Sequence, residues 1–148
     1  MTRGGGGAGD FLYVTGRLGG SLAGRHLDFI PRLAEARWLT EKFRICAMMD
    51  ISDGLVADLP RLAKASGCGF EIAKEKIPRN RGCTVAQALG DGEDFELLFA
   101  VRPADAQRLE AQWCTKFPRL PLTQIGVLTR RPANAKRKPA HRGHDHFA

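Results

Sequence analysis

The sequence predicts an α/β fold of the layered α+β kind, a mixed sheet with flanking helices, on three observations. Apolar runs of strand length alternate with stretches of helical periodicity, the pattern of a sheet covered by helices. The 148 residues suit one domain. With 43% hydrophobic and 26% charged residues, the chain has the composition of a globular domain with its own core, not that of a disordered chain. No apolar stretch approaches the ~18 residues of a membrane span. The Gly-rich start has no apolar signal core, so the expectation is a cytoplasmic protein with no membrane partner.

Residues 1–10, with glycines at 4–7 and 9, are expected to form a flexible arm. The domain proper is expected over 11–129, and a basic tail over 130–148. Phe11 to Val14 forms a short strand. Pro31 to about Phe43 forms a helix, with Leu33, Ala36 and Leu39 at helical spacing and Pro31 in its first turn. Arg44 to Asp50 has an apolar middle, which predicts a central strand covered on both faces. A helix follows from about Ser52 to Ala65 on the stripe Leu55, Leu59, Leu62 and Ala65, with Ser52 or Asp53 as its cap. Pro60 is expected to bend this helix, and Gly67 or Gly69 to stop it. Phe70–Ala73 is a strand, Val85–Leu89 one or two helical turns, and Glu96–Val101 an apolar strand. Pro103 opens a helix with Ala106, Leu109 and Trp113 on one side, and Leu122–Leu128 is the last strand.

The formal net charge is +7, but Arg130 to Ala148 holds six Lys or Arg against Asp145 alone, so this segment carries +5. A solvated basic tail explains that concentration, and nucleic acid is not favoured as a partner. Cys46, Cys68, Cys83 and Cys114 contain no C-x-x-C spacing, so reduced thiols are expected rather than a zinc site. His141, His144 and His146 form a short tract without supporting ligand types beside it.

Three segments are candidates for chemistry. Met49-Asp-Ile-Ser-Asp-Gly-Leu55 places Asp50 at a strand end and Ser52 and Asp53 in the turn before a helix. Two carboxylates three residues apart there could hold Mg²⁺, a hard cation that takes oxygen ligands and keeps waters and phosphates in its shell. The hydroxyl and the helix N–H groups could meet a phosphate oxygen. Alternatively, the same residues only cap the helix and end the strand. Leu89-Gly-Asp-Gly-Glu-Asp-Phe-Glu-Leu-Leu-Phe99 is an acidic turn. It could meet a cationic ligand part or hold another residue by a hydrogen bond. Val14-Thr-Gly-Arg-Leu-Gly-Gly-Ser-Leu-Ala-Gly24 is glycine-rich but fits neither the dinucleotide nor the phosphate-loop pattern.

Together with Ala65-Ser-Gly67, Ile125-Gly126 and Gly143-His-Asp-His-Phe147, these segments occur in the order seen in the thiamine-monophosphate kinase family. The chain resembles the C-terminal part of that family over about residues 11–147. The wider superfamily includes aminoimidazole-ribonucleotide synthetase and selenophosphate synthetase, and the fold implied is that of their C-terminal domain. The resemblance implies transfer of the ATP γ-phosphoryl group to thiamine monophosphate. By the same resemblance, Asp50 and Asp53 bind Mg²⁺, Ser52 contacts ATP, and Glu93 and His144 contact the thiamine substrate. His144 stands where the family commonly has an aromatic residue and offers less area for stacking. Gly20 and Asp91 stand where Asp and Gly are usual. Family members also carry an N-terminal domain with further acidic ligands, so activity is expected to need a separate N-terminal half or a homodimer partner. The alternatives are a non-catalytic nucleotide or interaction module and another ATP-using member of the superfamily.

Overall fold

The computed structural model describes residues 2–21 and 30–130; residues 22–29 and 131–148, the latter including His144 and nearly all of the basic tail, lie outside the described residues. Five strands are β1 (Phe11–Thr15), β2 (Ile45–Asp50), β3 (Cys68–Ile72), β4 (Leu97–Val101) and β5 (Leu122–Arg130). Among the described residues the α-helices are α1 (Leu33–Lys42), α2 (Leu55–Ala65), α3 (Val85–Gly90) and α4 (Pro103–Lys116), with a short 3-10 turn at Lys74–Lys76. The strands form one sheet in the order β2-β4-β1-β5-β3, and every ladder is antiparallel.

Alternation along the strands assigns side chains to two cores. On β1, Leu12 and Val14 join Leu55, Leu59 and Leu62 of α2, whereas Tyr13 faces Leu39 of α1 and Leu109 and Trp113 of α4. On β4, Leu98 and Ala100 go one way and Phe99 and Val101 the other. The result is a layer of helices on each face of the sheet. Each fully buried Leu contributes on the order of 2 kcal/mol through removal from water.

β2 is covered on both faces as its composition predicts, but it is not central. It is an edge of the sheet among the described strands, and β1 occupies the middle. Apolar runs register which faces are covered, not which strands are neighbours. The Gly-rich start touches this edge and then runs across to the end of α2 and to β5 rather than standing free. The Thr2 carbonyl accepts the Met48 N–H at 3.2 Å, Gly6 N–H donates to the Ser66 hydroxyl at 3.2 Å, and Gly9 N–H donates to the Leu128 carbonyl at 2.7 Å. A Cβ at Gly4 would stand 2.6 Å from the Ala65 carbonyl oxygen, so glycine here permits close approach.

α2 runs through Pro60, which sits on its exposed side, and ends before Gly67 at φ +68°. Its cap differs from expectation: Gly54 takes the position at φ 91°, and neither Ser52 nor Asp53 caps the helix with a side chain. Leu33, placed on the inner stripe of α1 by its spacing, is 75% exposed because it is the first helical residue.

Candidate functional site

The two acidic segments meet at the ends of β2 and β4. Ile51 N–H donates to the Glu96 carbonyl at 2.8 Å, Phe95 N–H to the Ile51 carbonyl at 2.9 Å, and Glu93 N–H to the Ser52 carbonyl at 2.8 Å. These bonds carry the β2–β4 pairing beyond the regular strands. They bring Glu93 and Phe95 to φ 62° and 51°, left-handed values uncommon outside glycine. The glycines around them serve proximity: a Cβ at Gly92 would lie 2.7 Å from the Ser52 carbonyl oxygen, and one at Gly54 3.0 Å from that of Gly90.

Asp58 shapes the turn between Asp50 and α2. It is fully buried, and its Oδ2 accepts the N–H groups of Ser52 at 3.0 Å and Asp53 at 2.9 Å. Its Oδ1 accepts from Arg61 at 2.8 Å, and the same guanidinium pairs with the exposed Asp53 carboxylate. These two carboxylates hold the Arg61 pKa above its ordinary value, Asp53 having the larger effect. Asp58 therefore braces the turn from inside the helix, while the first helical N–H groups receive no side-chain cap.

The Gly-rich segment docks on the acidic turn. Asp94 accepts the Gly19 N–H at 3.0 Å and the Ser21 hydroxyl, while Asp91 Oδ2 accepts the Gly20 N–H at 2.9 Å. From the other side, Asn80 Nδ2 donates to the carbonyls of Arg17 at 3.0 Å and Gly19 at 2.8 Å. The Gly19 and Gly20 N–H groups thus meet the chain's own carboxylates. Burial raises the Asp94 pKa, with hydrogen bonds from Ser21 and Gly19 opposing that rise. Beneath this clasp, buried Glu96 accepts from Thr15 Oγ1 at 2.6 Å and receives a two-pronged contact from Arg32 at 2.7 and 2.9 Å. That carboxylate raises the Arg32 pKa.

A cleft of about 360 Å³ opens above these contacts. Glu93, Asp94 and Glu96 line one part of it, and Arg17, Arg32 and Arg119 contribute positive charge. Glu93 is exposed here. Asp50 is exposed at the end of β2 opposite Leu97, Ser52 is half-buried, and neither they nor Asp53 line this cleft. The structure joins the loops of Ser52 and Glu93 by backbone hydrogen bonds. His144 lies outside the described residues.

As Mg²⁺ donors, Asp50 and Asp53 offer the right oxygen chemistry, but Asp53 is ion-paired with Arg61. Among the described residues, no group of three or more His, Cys, Asp or Glu side chains is placed to hold a metal. Two carboxylates by themselves amount to at most part of the oxygen shell such a cation takes. No helix among the described residues is long and apolar enough to cross a membrane.

The acidic turn holds other residues by hydrogen bonds, one of its two expected uses, through Asp91, Asp94 and Glu96. Sequence reasoning missed Asp58, Asn80 and Arg32 as organisers. Asp58 did leave a signal, an acid beside Leu55, Leu59 and Leu62 on the buried stripe. Arg32 and Asn80 left none, because their partners are distant in sequence.

A family described as AIR synthase related protein, C-terminal domain, matches residues 20–136. The chain is 38% identical over 140 residues to a thiamine-monophosphate kinase from Rhodopirellula baltica, covering 87% of this chain and 43% of that protein. It is similar to the crystal structure of thiamine-monophosphate kinase from Stenotrophomonas maltophilia K279a, with a TM-score of 0.76, 25% identity, and coverage of 87% of this chain and 50% of that one. It is also similar to AaThiL complexed with AMPPCP and TMP, with a TM-score of 0.66, 31% identity, and coverage of 87% and 48%. The chain spans about half the length of the curated relatives it matches. Matched over most of its length, with the layered antiparallel sheet in place, the chain belongs to the family of AIR synthase related C-terminal domains.

Proposed function

We propose that this chain is the C-terminal part of a phosphotransferase that moves the γ-phosphoryl group of ATP to thiamine monophosphate, giving thiamine diphosphate and ADP. It acts with a separate N-terminal half or a homodimer partner. The observation that carries this reading is the backbone pairing of the Ser52 and Glu93 loops at 2.8 Å, which sets the proposed nucleotide and acceptor contacts side by side. The likeness to a structure complexed with AMPPCP and TMP supports it.

In this reading the Ser52 hydroxyl contacts ATP, and Glu93 and His144 contact the thiamine part. Asp50 and Asp53 would hold Mg²⁺, which supplies neutralisation of phosphate charge when bound. Arg61 releases Asp53 for that purpose, while Asp58 keeps the turn in shape through the Ser52 and Asp53 N–H groups. Glu93 with Arg17 and Arg119 gives the cleft both charge signs, suited to a ligand that joins a cationic ring to a phosphate. Phosphoryl transfer depends mainly on such alignment and charge stabilisation, so no general base is assigned.

The test is a phosphoryl-transfer assay with ATP, Mg²⁺ and thiamine monophosphate, using this chain with and without an N-terminal half of the kinase family. Product is expected only in the combined sample, with a rate loss of about 100-fold for Asp50→Asn or Asp53→Asn. Full turnover by the chain alone would remove the need for a second half. Unchanged rates in both variants would remove the metal roles.

A further inference from the structure

Asp91 has no part in the assignments above, yet it ties together the two loops bordering the cleft. It precedes Glu93 by two residues, and its Oδ2 accepts the Gly20 N–H at 2.9 Å. On the other side of Glu93, Asp94 accepts the Gly19 N–H at 3.0 Å. Glu93 is thus bracketed by two side-chain tethers, and its own N–H makes a third link to Ser52. Its backbone stands at φ 62°, a left-handed value that persists only where the surrounding contacts hold it. The receiving residue is matched to the task. Gly20 stands at φ +82°, a left-handed conformation that glycine adopts without strain. Asn80 holds the same loop through the Arg17 and Gly19 carbonyls, so the tether pulls against a fixed anchor.

We propose that Asp91 is a positioning residue whose tether to Gly20 holds the acidic turn in the geometry that presents Glu93 to the cleft, and thereby sets the affinity for a cationic ligand. This rests on the assignment of Glu93 to the thiamine part. Removing Asp91 lets the turn relax and disperses the Glu93 carboxylate over several positions, while the core beneath keeps its own contacts.

The test combines calorimetric binding of thiamine monophosphate with amide hydrogen exchange at Gly20, on the full chain mixed with the N-terminal half. The samples are the unaltered chain, Asp91→Ala, Asp91→Asn and Glu93→Gln, all measured where the chains are folded. Asp91→Ala is expected to bind about tenfold more weakly and to exchange the Gly20 amide faster. Asp91→Asn keeps an acceptor oxygen and is expected to recover most of the affinity, a rescue that lost fold stability alone would not produce. Unaltered affinity in Asp91→Ala beside weakened Glu93→Gln would overturn the positioning role and leave the Glu93 assignment standing. Equal affinity of Glu93→Gln and the unaltered chain, or binding by neither, would overturn the Glu93 assignment and this inference with it. Unchanged Gly20 exchange in Asp91→Ala would show that the tether does not form, which also overturns it.

Discussion

Asp94 shows how one side chain can be both anchor and liability. It organises the Gly-rich loop through Gly19 and Ser21, yet burial raises its pKa above the ordinary carboxylate value of 3.8. A raised folded-state pKa means that the folded chain binds this proton more tightly than the unfolded chain. The associated stabilisation is fully present below the ordinary value and is lost as pH rises through the raised one. Asp94→Asn removes that titration. The stability of the unaltered chain relative to Asp94→Asn is therefore expected to fall as pH rises from about 4 upward, measured by urea unfolding at a series of pH values. A pH-independent difference between the two would mean that Asp94 titrates alike in both states. Tyr13 is similar in cause but not in consequence: burial, then the Glu110 carboxylate 2.6 Å from its hydroxyl, pushes its pKa far up, so it stays neutral in this range.

At the scale of the element, the turn between β2 and α2 depends on Asp58 more than on either residue that the sequence nominated as a cap. Asp58→Ala leaves the Ser52 and Asp53 N–H groups without that acceptor and is expected to cost about 2–3 kcal/mol, measured by urea unfolding. A loss within about 0.5 kcal/mol would show that water replaces the carboxylate. The stripe Leu55, Leu59 and Leu62 made α2 legible because burial repeats with helical period, and Ala106, Leu109 and Trp113 did the same for α4. The cap was not legible, since Ser and Asp before a helix look alike whether they accept from it or merely precede it. The same limit applies to β2, whose apolar run announced two covered faces and said nothing about its place at the edge. In the site, the D-I-S-D-G and G-E-D-F-E segments were visible as candidates. Their union through Ile51, Ser52, Glu93 and Phe95 was not, because it is made of backbone bonds between distant positions.

Across the whole molecule, the strand order joins the two ends of the described chain. Phe11 of β1 lies opposite Val101 of β4 on one side and Val127 of β5 on the other, and β5 also carries β3. The last strand therefore closes two ladders at once. A chain shortened after Phe117 is expected to show no cooperative urea transition, read by circular dichroism; a sharp transition would mean that the β2-β4-β1 ladder and the remaining helices suffice without β5. The same arrangement governs the order of events during synthesis. Of the described strands the central one emerges first, and it waits for flanking partners encoded near the far end of the described chain. Its apolar side chains stay open to wrong associations during that delay, and folding of the sheet follows translation rather than keeping pace with it.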